Sequence, residues 1–178
     1  MAESSSAATS NCRSSNSNHD VFVNHRGPDV KKTFSSHLYR RLLSYGLRVF
    51  LDQPELQRGD YFTPQIEDDI RSASVHAAIF SPRYADSIWC LNELVQMLDS
   101  KAPVIPVFYH VKPTELRWTR GKKGSYAEAL EKLEKKTDYD PQTHEEKSRY
   151  HSGMIENWRN ALSKAADISG FELEACNG

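Results

Sequence analysis

Apolar and polar positions along the chain fall into short β-branched or aromatic runs alternating with longer stretches of helical spacing. Residues 1–18 are mostly Ser, Ala and Asn with no apolar period. Such a segment buries too little surface to offset its ordering entropy, so 1–18 reads as a disordered leader and 19–175 as the folded domain. The run from Asp20 to Asn24 predicts a first strand, with Arg26 and Gly27 at its end. Phe34, Leu38, Leu42 and Tyr45 then recur at helical spacing, and Gly46 closes that helix. Leu47–Leu51 reads as a second strand, followed by a polar loop from Asp52 to Asp60. Thr63 and Pro64 supply an N-cap and a first-turn proline for the next helix. Val75–Phe80 is a third strand, and Trp89–Ser100 a helix with Leu91, Leu94, Val95 and Leu98 as its core stripe. Pro103–Tyr109 is a fourth strand whose prolines place it at a start or an irregular edge. Ser125–Lys136 reads as a charged helix, Thr137–Glu146 as a polar connector, and Ile155, Trp158, Leu162 and Ala166 as the stripe of a last helix closed by Gly170. Phe171–Glu174 is a short final strand.

Strand-helix alternation implies right-handed crossovers and a parallel sheet covered on both faces. The predicted class is α/β, a flavodoxin-like five-stranded parallel sheet in the order 2-1-3-4-5. In such sheets ligands sit beyond the carboxyl ends of the strands, where the strand order reverses. That point lies between strands one and three. The candidate site is therefore Asn24 to Asp29, the Asp52 to Asp60 loop and the Ser81 to Glu93 connection.

Composition narrows the function. A chain of 178 residues suits one domain, and 23 basic against 24 acidic residues give no bulk attraction to nucleic acid or to a membrane surface. The apolar stretch Val104–Tyr109 is far short of the ~20 residues of a membrane span. No secretory signal opens the sequence. Cys12, Cys90 and Cys176 are too widely spaced for a zinc site and odd in number for a disulfide framework, which suits a reducing, cytoplasmic setting. G-x-G-x-x-G, P-loop, H-E-x-x-H and G-x-S-x-G patterns are all missing. Asn24-His25 and Phe80-Ser81 occupy the places where a phosphoacceptor domain of this architecture needs acids.

The segment from Asp20 through Val-Phe-Val-Asn-His-Arg to Gly27 strongly resembles plant Toll/interleukin receptor (TIR) domains. Four further stretches agree in order: Phe34–Tyr39, Phe50 to Gly59, Phe80–Tyr84 with Trp89–Leu94, and Val104–Tyr109 with Lys112-Pro113. Neither a nucleotide-binding domain nor leucine-rich repeats follow, so the expectation is a TIR-only chain or an excised piece of a larger receptor. The resemblance implies cleavage of NAD+ as substrate, with ADP-ribose or cyclic ADP-ribose isomers released as immune and cell-death signals, and with no cofactor or metal. It places the family glutamate on Glu93, beside the nicotinamide ribose, where negative charge stabilises an oxocarbenium-like transition state.

By the same resemblance Asn24, His25, Arg26, Gly27 and Trp89 frame the NAD+ site, and the long loop is mobile, closes over the substrate of a neighbouring protomer and contributes Leu56 and Arg58. Family members commonly carry Ser-Phe where this chain has Asn24-His25, and an altered activity is one consequence to expect. Ser36 and His37 match a self-association pair, implying a homo-oligomer, either a tetramer or a filament. Lipase-like immune heterodimers are the implied receivers of the product, and the compartment is cytoplasmic or nuclear. Glu93 lies off the expected core stripe one turn after Trp89, so both can face the cleft. Its plain reading is a solvated carboxylate near a helix start, and that of Trp89 is packing. Cys90 reads first as a small buried hydrophobe. In plant TIR domains a cysteine here is linked to a second activity, synthesis of 2′,3′-cyclic nucleotides on nucleic acid, although Asp86 stands where a serine is usual. Arg117, Arg120, Lys122 and Lys123 around Trp118 read as a solvated face, with nucleic-acid contact the lesser alternative. The rival to the enzyme reading is a TIR–TIR adaptor without chemistry.

Overall fold

A period of two along the first strand sends Phe22 and Asn24 to one side of the sheet and Val21 and Val23 to the other. Both sides are covered over most of its length, so the strand reads as a nearly continuous apolar run. The computed structural model describes residues 19–51, 64–117 and 124–173. The expected leader, the loop positions Leu56 and Arg58, and Trp118, Arg120, Lys122 and Lys123 all lie outside the described residues.

Strands β1 (Val21–His25), β2 (Val49–Leu51), β3 (Val75–Phe80), β4 (Val104–Tyr109) and β7 (Phe171–Leu173) form one parallel sheet in the order β2-β1-β3-β4-β7. This is the expected flavodoxin-like topology, with the last strand in the chain taking the fifth place. The register sets Asn24 against Ala78 and His25 against Ile79, so the carboxyl ends of β1 and β3 lie side by side at the reversal of strand order.

Helix α3 (Pro64–Ser72), α4 (Ile88–Asp99), the short α5 (Pro113–Leu116), α6 (Ser125–Glu134) and α7 (Ser152–Asp167) pack on the Phe22 face, where Phe22, Phe80, Phe108, Leu91, Leu94, Met97 and Trp158 form the main core. Trp158 Nε1 donates to Asn92 Oδ1 at 2.9 Å and ties α7 to α4. Among the described residues the opposite face is served by a single helical stretch, Gly27 to Ser44, made of α1 (Gly27–Val30), a π turn (Lys31–Ser35) and α2 (Ser36–Ser44). That stretch leaves an open apolar hollow of about 320 Å³ between Phe34, Leu38 and Leu42 and the strand residues Ala77, Ile105 and Val107.

Four expectations are corrected. Gly27 does not end the first strand; it is the first helical residue, with Pro28 in the first turn where its missing N–H costs nothing. The core side of α4 is Cys90, Leu91, Leu94 and Met97, with Val95 and Leu98 only half-buried. Thr137–Glu146 is not a connector, because β5 (Thr137–Asp140) and β6 (Glu145–Ser148) pair antiparallel. This hairpin is almost wholly exposed and held by ion pairs, Lys147 to Asp140 at 2.7 Å and Arg149 to Asp138 at 2.5 Å, so no apolar alternation announces it. Gly170 is not a helix cap. A Cβ there would lie 2.4 Å from the Pro106 carbonyl oxygen, and the residue is glycine because β4 passes directly against it.

Candidate active site

Helix α4 begins where it does because Ser87 is extended and its hydroxyl accepts from the Cys90 backbone N–H at 3.3 Å. The helix then runs over the ends of β1 and β3, and Cys90 Sγ donates to the His25 carbonyl at 3.4 Å. One turn further on, Glu93 is 1% exposed. It lies beyond the first turn of α4, so its partner is a side chain and not the helix terminus.

That partner is Asn24. Its Nδ2 donates to Glu93 Oε2 at 2.5 Å and to the Cys90 carbonyl at 3.3 Å. Its Oδ1 accepts from the hydroxyl of Tyr84, which also lies 3.0 Å from the Cys90 carbonyl. Tyr84 comes from the short 3-10 turn Tyr84–Asp86 between β3 and α4. Burial, with Cys90 and Glu93 nearby, pushes its phenol well above the ordinary tyrosine range, so it is a neutral donor at any working pH. Its ring packs on Phe80 at 4.8 Å between centroids and on Tyr126 at 6.5 Å.

A second chain of contacts crosses the strand ends. Arg26 Nη1 pairs with Asp29 Oδ1 at 2.6 Å, Ser81 Oγ donates to Asp29 Oδ2 at 2.6 Å, and Tyr126 Oη donates to the Ser81 carbonyl at 2.7 Å. The Arg26 guanidinium is thus paired within the fold, close to the site expected for it.

The structure brings together Asn24, His25, Cys90 and Glu93, which are 65 to 69 residues apart where they bond. Trp89 is 7% exposed and His25 2% exposed at the same end of the sheet. Ser36 and His37 are elsewhere, on α2. Their roles differ: the Ser36 hydroxyl donates back to the Lys31 carbonyl across the π turn, and His37 is exposed. Asp86 pairs with Arg83 at 3.1 Å on the surface, and Arg117 with Asp167 at 2.6 Å. Among the described residues no group of three or more His, Cys, Asp or Glu is placed to hold a metal ion. Sequence reasoning assigned no role to Tyr84, Tyr126 or the Asp29–Ser81 bridge. Nothing in local spacing marks them, since each acts on a residue brought close only by the sheet.

A family model described as "TIR domain" matches residues 18–178. The chain belongs to the TIR-domain family. This TIR domain is 46% identical over 100 residues to "Probable 2' cyclic ADP-D-ribose synthase BdTIR" of Brachypodium distachyon, a match covering 56% of this chain and 45% of that protein. It is 37% identical over 165 residues to "TMV resistance protein N" of Nicotiana glutinosa, covering 90% of this chain and 13% of the relative. The chain therefore spans less than half the length of these relatives. Among solved structures, the TIR domains of the activated Roq1 resistosome, which recognises the pathogen effector XopQ, superpose with a TM-score of 0.70 at 34% identity, covering 89% of each chain.

Proposed function

We propose that this TIR domain cleaves the N-glycosidic bond of NAD+, releasing nicotinamide and either ADP-ribose or a cyclic isomer of it as an immune signal. The observation that carries the reading is the Glu93 carboxylate, held by an amide N–H at 2.5 Å at the point where the strand order reverses. The relative described as a cyclic ADP-ribose synthase supports the same chemistry.

When the glycosidic bond breaks, its electron pair leaves with nicotinamide, which departs neutral, and positive charge develops on the ribose. A fixed carboxylate in a water-poor setting stabilises that charge far better than it would in bulk water. Water then attacks to give ADP-ribose, with its proton passing to solvent, or a hydroxyl of the same molecule attacks to give a cyclic product. In this reading NAD+ is the substrate, no further cofactor takes part, Trp89 lines the nicotinamide pocket, His25, Arg26 and Gly27 frame the NAD+ site, and the loop of a neighbouring protomer contributes its Leu56 and Arg58. Because Glu93 is 1% exposed, the substrate reaches it only when the surrounding segments move.

The Roq1 assembly supports self-association as the activating step. In this reading the product then passes to lipase-like immune heterodimers in the cytoplasm or nucleus. No helix among the described residues is long and apolar enough to cross a membrane. The test is nicotinamide release by wild type, Glu93→Ala and Glu93→Gln. Both variants should lose at least about 100-fold in rate, the scale of removing one transition-state electrostatic partner. A folded, fully active Glu93→Gln would remove the catalytic assignment of Glu93, whereas a folded wild type that releases no nicotinamide at any concentration would favour the adaptor reading.

A further inference from the structure

We infer that Tyr84 is a positioning residue for Glu93, acting through the side-chain amide of Asn24. The inference rests on the proposed NAD+ cleavage for its kinetic consequence and on the hydrogen-bond geometry for its structural one. Tyr84 and Asn24 are both 0% exposed, as is Cys90, so neither side chain of the relay meets solvent.

The chemistry of its neighbours fixes which way the Asn24 amide points. Its two nearest partners on the α4 side are the Glu93 carboxylate and the Cys90 carbonyl, both acceptors, so the NH₂ must face them. The carbonyl end then needs a donor, and the Tyr84 hydroxyl supplies it. Without that hydroxyl, Oδ1 is left buried without the donor that Tyr84 provides, which costs the desolvation of a polar atom. A flipped amide is worse, because it would aim Oδ1 at a carboxylate. Either way Asn24 loosens its hold on Glu93.

Tyr84 is itself well held. Phe80 and Tyr126 clamp its ring, and Tyr126 is anchored to the Ser81 carbonyl at the end of β3. The relay therefore connects the β3–α4 turn to the carboxylate through one amide. A misplacement of about 1 Å at a reacting group costs on the order of 100-fold. Loss of one relay member should cost part of that, in the chemical step and not in substrate binding, because Tyr84 is fully buried and presents no surface to a ligand.

The experiment uses the full chain and its Tyr84→Phe variant. Without NAD+, the side-chain NH₂ of Asn24 is followed by ¹⁵N NMR and hydrogen exchange; with NAD+, kcat and KM are measured. The expected results are slow Asn24 amide exchange in wild type, faster by about tenfold in Tyr84→Phe, and a kcat lower by about 10- to 100-fold with KM within twofold. Adding Tyr84→Phe to Asn24→Ala should cost nothing further, because the two share one path. A tyrosine that only fills the core would lower the melting temperature and leave kcat and the Asn24 amide unchanged, and that result overturns the inference. Freely exchanging Asn24 amide protons in wild type overturn it without any variant. A wild type inert towards NAD+ whose Asn24 amide still responds to Tyr84→Phe would remove the NAD+ reading and leave the hold on Glu93 standing.

Discussion

His76 lies in β3 facing Phe22, with ring centroids 6.0 Å apart, and it is 0% exposed. Neither ring nitrogen has a hydrogen-bond partner among the described residues. Desolvation therefore disfavours the cation and lowers its pKa to about 4. The unfolded chain takes up a proton near pH 6.5 that the folded chain refuses until about pH 4. Stability from this residue is complete above pH 6.5 and is lost progressively as pH falls towards 4, by about 3 kcal/mol in all. Urea unfolding of wild type and His76→Leu at pH 7.5 and 4.5 checks this. The variant should lose less stability between the two, by about 2–3 kcal/mol, and equal losses would show that His76 is not the titrating group. The candidate site shows the same limit on reading single residues. Motif resemblance points to Glu93 and groups Asn24 with the substrate; the structure adds that Asn24 is buried and spends both N–H groups on Glu93 and Cys90. That pairing spans 69 residues and depends on the register of β1 against β3, which no local period encodes.

At the scale of elements, the chain was legible wherever burial imposes a period. The stripe of α7 appears in the sequence as Ile155, Trp158, Leu162 and Ala166, and the structure buries all four. The same holds for the strands β1, β3 and β4. It fails for the hairpin of β5 and β6, whose stability comes from charge pairs on an exposed ribbon. It also fails for the start of the first helix, where Pro28 was the available signal. Gly170 shows how a correct position can carry a wrong reason. The residue lies where β7 meets β4, and Pro106 sits just before the β4–β7 ladder begins at Val107 and Phe171. A methyl group on Gly170 would meet Pro106 O at 2.4 Å and Phe108 Cε2 at 3.1 Å. Since backbone must move to admit it, Gly170→Ala should cost about 1–3 kcal/mol. For a chain of this length that lowers Tm by roughly 3–10 °C. If the approach of Pro106 were not limiting, Ala would be accepted with little change in Tm, because φ at Gly170 lies outside the left-handed region.

The two faces of the whole molecule are unequal. Among the described residues, four helices of eight or more residues cover the Phe22 face, whereas the other carries only Gly27–Ser44. That stretch contains a π turn, a form frequent at functional sites, and α2 has no fully buried residue. Leu43, Tyr45, Ile105 and Phe171 are exposed, at 43%, 67%, 38% and 64%. A molecule with this asymmetry gains by covering apolar surface in an assembly. With self-association as the proposed activating step, nicotinamide release per mole of protein should rise with protein concentration, because two chains must meet before either turns over. The residue to change is His37, since its side chain faces solvent on α2 while that of Ser36 is committed to the Lys31 carbonyl. His37→Glu should lower both the sedimentation-measured association and the specific activity at low protein concentration, with recovery at high concentration. It should do so without moving Tm by more than about a degree, as surface changes of this kind stay within ~0.5 kcal/mol. Ser36→Ala should act differently, through the helix and not through the contact. Specific activity independent of concentration, in wild type and His37→Glu alike, would mean that each chain completes its own site.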